Sequence, residues 1–162
     1  MIATLPFILF AQVASQTAAP GAWTLETPKA APAIFTYARD GAQLVQMTCQ
    51  PDSGQILFRV AVRKRLAARK SGTIWTNALG MPAPWPASVT LTSADTASTL
   101  RGALDAETQT GASIALAEAS TQAPFLRNFG KTGAMTFTVM GETIGPDPAK
   151  SGDARKFLRA CG

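Results

Sequence analysis

From Ile34 to Met140 the chain is built of short runs in which apolar and polar side chains alternate. A period of two suits half-buried strands and is incompatible with a one-sided helix. The clearest run is Gln55 to Arg63, where Ile56, Phe58, Val60 and Val62 alternate with Leu57, Arg59, Ala61 and Arg63. Ile34 to Arg39 and Gln43 to Cys49 flank Asp40-Gly41, a two-residue hairpin signal because Gly accepts positive φ. Val45, Met47 and Cys49 then share one face, which turns Cys49 towards the core. Trp23 to Glu26 reads as a first strand, followed by the Pro- and Ala-rich connector Pro28 to Pro32. Further runs lie at Val89 to Ser93, Thr99 to Ala106, Ala112 to Ala119 and Met135 to Met140, with Asp105 to Gly111 as a polar hairpin loop. Seven or eight such strands predict a mainly β protein, an antiparallel β-sandwich or small barrel.

Two short helices interrupt this pattern. Pro124 suits the first turn of a helix running to Phe129, with Gly130 as its stop. After Asp147-Pro148, the residues Ala154, Phe157, Leu158 and Cys161 fall at i, i+3, i+4 and i+7 and form one apolar face. Arg155, Lys156 and Arg159 lie outside it, near the end of the helix where cations are favourable. The expectation is a C-terminal helix docked on the sheet.

Residues 1–19 carry no charged side chain, and the apolar run Ile2 to Ala14 follows the initiator Met directly. This reads as a secretory signal peptide, although it has no Lys or Arg ahead of the apolar run. Small residues suit cleavage near Val13-Ala14-Ser15 or Thr17-Ala18-Ala19. The run is too short to span a bilayer, which needs about 20 residues. The expected product is one β-rich domain over residues 20–162, periplasmic or secreted, with no transmembrane segment. Export also decides how Cys49 and Cys161, the only cysteines, are read. In an oxidising compartment an even pair predicts a disulfide. Their spacing has no Cys-x-x-Cys redox signature.

The chain has no histidine, which removes Ser–His–Asp and Cys–His catalysis. Transition-metal sites would need cysteines already committed to a disulfide, so neither a metal nor any other cofactor is expected. Gly130-Lys131-Thr132 lacks the upstream Gly of a phosphate-binding loop, since Phe125 stands in its place. Gly111-Ala112-Ser113-Ile114 has Ala115 where a nucleophile elbow closes on Gly. Asp105 and Glu107 are the only close pair of carboxylates, in a loop where solvated acids are ordinary. No catalytic residue is assigned.

The formal net charge is +5. The strongest surface signal is the basic run Arg63, Lys64, Arg65, Arg69 and Lys70, with Arg59 just before it. No acid lies between Asp52 and Asp95. These six cations point to an acidic partner, whether a protein, an anionic polysaccharide or a lipid headgroup. Nucleic acid fits poorly, because no aromatics are interleaved for base stacking. The structural alternative is a solvated strand end whose charges prevent edge-to-edge pairing. Trp85, in the Pro-rich stretch Met81 to Pro86, reads either as a binding anchor beside this patch or as a ring folded over the edge of the core.

Three features are shared with a known group: the core-facing Cys49, the Pro-Phe-Leu-x-x-Phe run from Pro124 before Met135 to Met140, and the closing Phe157-Leu158-Arg159-Ala160-Cys161. The layout is similar to that of small uncharacterised exported proteins of alphaproteobacteria, which bring no known activity. Thr48-Cys49 also resembles the strand-ending Cys of periplasmic lysozyme inhibitors. Their inhibitory loop carries Ser-Gly-x-x-Tyr, whereas Ser151-Gly152-Asp153-Ala154-Arg155 has Arg at the Tyr position, so that function is not transferred. The expected function is a non-catalytic binding module of the cell envelope. The alternatives are an inhibitor of an envelope hydrolase, or an enzyme using carboxylates or a Ser/Lys pair.

Overall fold

The computed structural model describes residues 20–29 and 31–162, so the proposed signal peptide lies outside the described residues. The elements run β1 (Ala22–Glu26), β2 (Ala33–Arg39), β3 (Ala42–Cys49), β4 (Gln55–Val62), β5 (Arg69–Ser71), β6 (Ile74–Thr76), β7 (Trp85–Ser93), β8 (Thr96–Ala106), β9 (Ser113–Ser120), α1 (Pro124–Thr132), β10 (Thr136–Val139), β11 (Glu142–Ile144) and α2 (Ser151–Ala160). Nine strands form one antiparallel sheet in the order β1-β2-β3-β4-β9-β8-β7-β10-β11, and β5 and β6 make a separate hairpin. The sheet curls into a half-barrel, and α1 and α2 complete the architecture.

The alternation seen in the sequence fills the core. Phe35, Met47, Phe58, Val60, Leu91 and Phe137 are fully buried, while their strand neighbours are only half-buried. Phe125, Leu126 and Phe129 of α1 and Ala154 and Phe157 of α2 supply the rest of the interior. The aromatic contacts tie the layers together: Phe35 lies 5.6 Å from Phe157 and 6.2 Å from Phe129, and Phe58 lies 6.3 Å from Phe125. Each fully buried aromatic or aliphatic side chain contributes about 1.5–3 kcal/mol, so this face dominates the stability.

Asp40 (φ 52°) and Gly41 (φ 75°) both take the left-handed conformation required by a tight hairpin between β2 and β3. One local expectation fails. Helix α1 does not stop at Gly130 but continues to Thr132, and Gly133 (φ 70°) is its left-handed cap. Gly130 is instead buried against α2, where an added Cβ would lie 3.0 Å from the Leu158 side chain. The residue serves helix–helix approach, not termination.

Two ties hold the curled sheet. Cys49 and Cys161 form a disulfide with their Cα atoms 5.5 Å apart, fixing the end of α2 to the end of β3. Asp147, in the segment after β11, binds the β1–β2 edge. Its carboxylate accepts from the Tyr37 hydroxyl at 2.8 Å, from Arg39 at 3.0 Å and from the Gly21 amide at 3.1 Å. The Asp147 carbonyl accepts from the Trp23 indole at 2.6 Å. These bonds hold the Asp147 carboxyl below the ordinary range, the Tyr37 hydroxyl contributing most and Arg39 next. Among the described residues no helix is long and apolar enough to cross a membrane.

Candidate functional site

The basic run leaves β4 at Arg63 and passes through a short connection into β5. The register places that connection at one end of the curled sheet. Val62 pairs with Ser113 at the start of β9, and Ala106 at the end of β8 pairs with the same residue. Cys49, Gly54 and Cys161 lie at the opposite end, where the Gly54 amide donates to the Cys161 carbonyl at 2.9 Å. The cationic segment and the disulfide thus occupy opposite ends of the molecule.

The organising residue of the segment is Trp75 on β6, which the sequence reading did not single out. Trp75 and Lys70 are register partners across the β5–β6 hairpin. The Lys70 ammonium lies 5.4 Å from the Trp75 ring centroid, and the Arg65 guanidinium lies 5.1 Å from it. Both Lys70 (2.6 Å) and the Trp75 indole (3.0 Å) donate to the Thr108 carbonyl, anchoring the hairpin to the loop between β8 and β9. Glu107 shapes that loop, its carboxylate accepting from the amides of Thr110 at 2.6 Å and Gln109 at 3.1 Å. Those amides, Thr110 first, hold Glu107 below the usual carboxylate range, and Lys70 adds a smaller contribution. The second acid considered in the sequence, Asp105, accepts from the Ala106 amide. Glu107 is thereby committed to a turn, and Asp105 bonds to the backbone of its own strand.

The remaining cations diverge. Arg63 is exposed and faces Glu142 of β11 at 3.7 Å, while its amide donates to the same carboxylate at 3.0 Å. Lys64 is exposed in the connection, and Arg69 is exposed on β5 in register with Thr76. Arg59 stands apart, half-buried in the middle of β4 between Gln46 and Leu116 of the neighbouring strands. Lys64, Arg65, Arg69 and Lys70 therefore share one cationic hairpin region, Arg63 borders it, and Arg59 does not belong to it.

Trp85 is no exposed anchor. It is 4 % exposed, and its indole donates to the Met81 carbonyl at 3.0 Å. Its ring is folded into the edge of the core because it opens β7 opposite Leu104, itself buried. The combined cationic and Trp85 surface considered from the sequence is thus replaced by a cationic surface built on Trp75.

A cleft of about 340 Å³ opens beside this region, lined by Tyr37, Arg39, Leu44, Val62, Arg63, Glu142 and Ile144. Its arginines are already matched, Arg39 by Asp147 and Arg63 by Glu142. Among the described residues no three Cys, Asp or Glu side chains gather to hold a metal ion. Comparison with family profiles, with characterised proteins and with solved structures returns no match for this chain.

Proposed function

We propose that the protein is a non-catalytic binding module of the cell envelope, periplasmic or secreted, that engages an acidic partner through Lys64, Arg65, Arg69 and Lys70, with Arg63 at the border. The observation that carries this reading is the pairing of Arg65 and Lys70 with the Trp75 ring, anchored on Thr108. It fixes part of a cationic surface in place, so that less side-chain entropy is lost on binding. Charge arranged in this way favours encounter with acidic surfaces more than it favours any chemical step. The Cys49–Cys161 disulfide supports the compartment, because such bonds persist where thiols are not kept reduced.

Replacing Arg63, Lys64, Arg65, Arg69 and Lys70 together by Gln tests the reading. The expected result is a loss of retention on immobilised cell-envelope extract, with an unchanged far-ultraviolet circular dichroism spectrum. Undiminished retention of the charge-neutral variant would remove the proposal.

A further inference from the structure

Beside the cationic hairpin, the segment Ile74 to Met81 carries three exposed large apolar side chains. Ile74 is 55 % exposed, Leu79 84 % and Met81 50 %. Such residues are unremarkable when scattered singly over a surface, but here three fall within eight positions. They are also held in place. The Asn77 side chain accepts from the amides of Leu79 and Met81, both at 3.0 Å. The Asn77 amide donates to the Met81 carbonyl at 2.9 Å, and the Gly80 amide to the Asn77 carbonyl at 3.0 Å. Gly80 (φ 82°) supplies the left-handed residue that this tight loop requires. Thr76 bridges to Pro82 below it, closing the loop at its base. The loop therefore presents Leu79 outward on a fixed support.

One cation adjoins this loop by register. Arg69 pairs with Thr76, the residue directly before Asn77, and Ser71 pairs with Ile74. Because β5 and β6 alternate, Arg69, Ser71, Ile74 and Thr76 share the face opposite Lys70 and Trp75. No Asp or Glu occurs from residue 53 to residue 94. The neighbouring loop contributes Glu107 on the Trp75 side, and β11 contributes Glu142 against Arg63.

We infer that the Asn77–Met81 loop and the outer face of the β5–β6 hairpin form a docking element for an anionic lipid surface, with Leu79, Met81 and Ile74 entering the headgroup layer, Arg69 meeting the lipid charge on the same face, and Arg65 and Lys70 beside Trp75 on the other face adding longer-range attraction. This rests on the proposed reading of the basic segment as a binding surface, and it names the partner class. An anionic polysaccharide would use the cations and leave the apolar side chains in water. A protein partner of ordinary stability needs an interface above about 1,000 Å² with a packed centre, and three separate apolar side chains do not form one. A lipid surface has no fixed shape and accepts apolar tips and flanking cations together.

The test uses the folded, oxidised protein and vesicles of phosphatidylcholine with or without phosphatidylglycerol, compared with a sulfated polysaccharide column. The wild type is expected to co-sediment with the anionic vesicles and not with phosphatidylcholine alone. Leu79→Gln combined with Met81→Gln should lower vesicle binding by roughly tenfold or more while leaving column retention and thermal unfolding unchanged. Column retention without vesicle binding by the wild type would overturn this inference and leave the basic-surface reading standing. Equal vesicle binding by the double variant would overturn it as well. A stoichiometric complex with an acidic protein, lost in the double variant while vesicles are ignored, would also overturn it. Binding to neither probe by the wild type would count against both readings.

Discussion

Gly133 and Ala149 meet backbone against backbone. The Ala149 amide donates to the Gly133 carbonyl at 2.9 Å, and a Cβ built on Gly133 would overlap the Ala149 carbonyl oxygen. Gly133 also caps α1 at a φ of 70°, so a side chain there meets both an unfavourable backbone conformation and a neighbouring main chain. Gly133→Ala should destabilise the fold by more than about 2 kcal/mol. Gly130→Ala should change stability by less than about 1 kcal/mol, because a helix-propensity gain of that order offsets the displacement of the Leu158 side chain. Urea unfolding of the two variants side by side separates the cap from the close approach.

The disulfide closes a long loop, 112 residues in sequence separation. The Cys49→Ala, Cys161→Ala variant should lose up to about 4–5 kcal/mol by chain entropy. Cys161 is fully buried and follows α2 directly, so the loss should begin there. Hydrogen exchange of the variant should show the amides of α2 opening before those of β4 and β9.

The Asp147 cluster carries a pH dependence. The Asp147 carboxyl is lowered by the Tyr37 hydroxyl and by Arg39, so folding favours its ionised form. Its contribution is complete above the unfolded carboxylate value of about 3.9 and is lost as pH falls through the lower folded value. Asp147→Asn should therefore lower the Tm at neutral pH, and its Tm curve should converge with that of the wild type in acid. Tyr37→Phe removes the hydroxyl's bond to Asp147 and the one it accepts from Arg39, and should lower the Tm at neutral pH. Differential scanning calorimetry across pH checks both.

Trp75 holds the basic hairpin in shape. Trp75→Ala removes the ring facing Arg65 and Lys70 and the indole bond to Thr108. Exposed cation–π contacts are worth about 0.5–1 kcal/mol each, so the local structure should loosen without global unfolding. Trypsin should then cut at Arg69 and Lys70 faster than in the wild type, while the midpoint of global unfolding stays nearly unchanged.

The parts of the fold that alternate over five or more residues were legible from the residues alone. Ile56, Phe58 and Val60 predicted β4, Asp40-Gly41 predicted the β2–β3 hairpin, and Ala154, Phe157 and Cys161 predicted the inner face of α2. The three-residue strands β5, β6 and β11 were not legible, because so few residues show no period. Strand order was hidden for a different reason: alternation reports which side chains turn inward but not which strands pair. The same limit hid the role of Gly130, since a helix stop and a close helix contact both select glycine. At the site, the charges of Arg65 and Lys70 were visible, whereas their common support on Trp75 depends on hairpin register. Trp85 gave up the place of candidate anchor because the Pro-rich stretch around it runs into β7, which turns that ring inward.

The most direct measurement follows backbone amide shifts during titration with small bilayer discs rich in phosphatidylglycerol. Changes are predicted at Arg69 to Met81, with Cys49, Gly54, Thr121 and Cys161 unmoved. Changes gathered around that last group, at the far end of the half-barrel, would contradict the account.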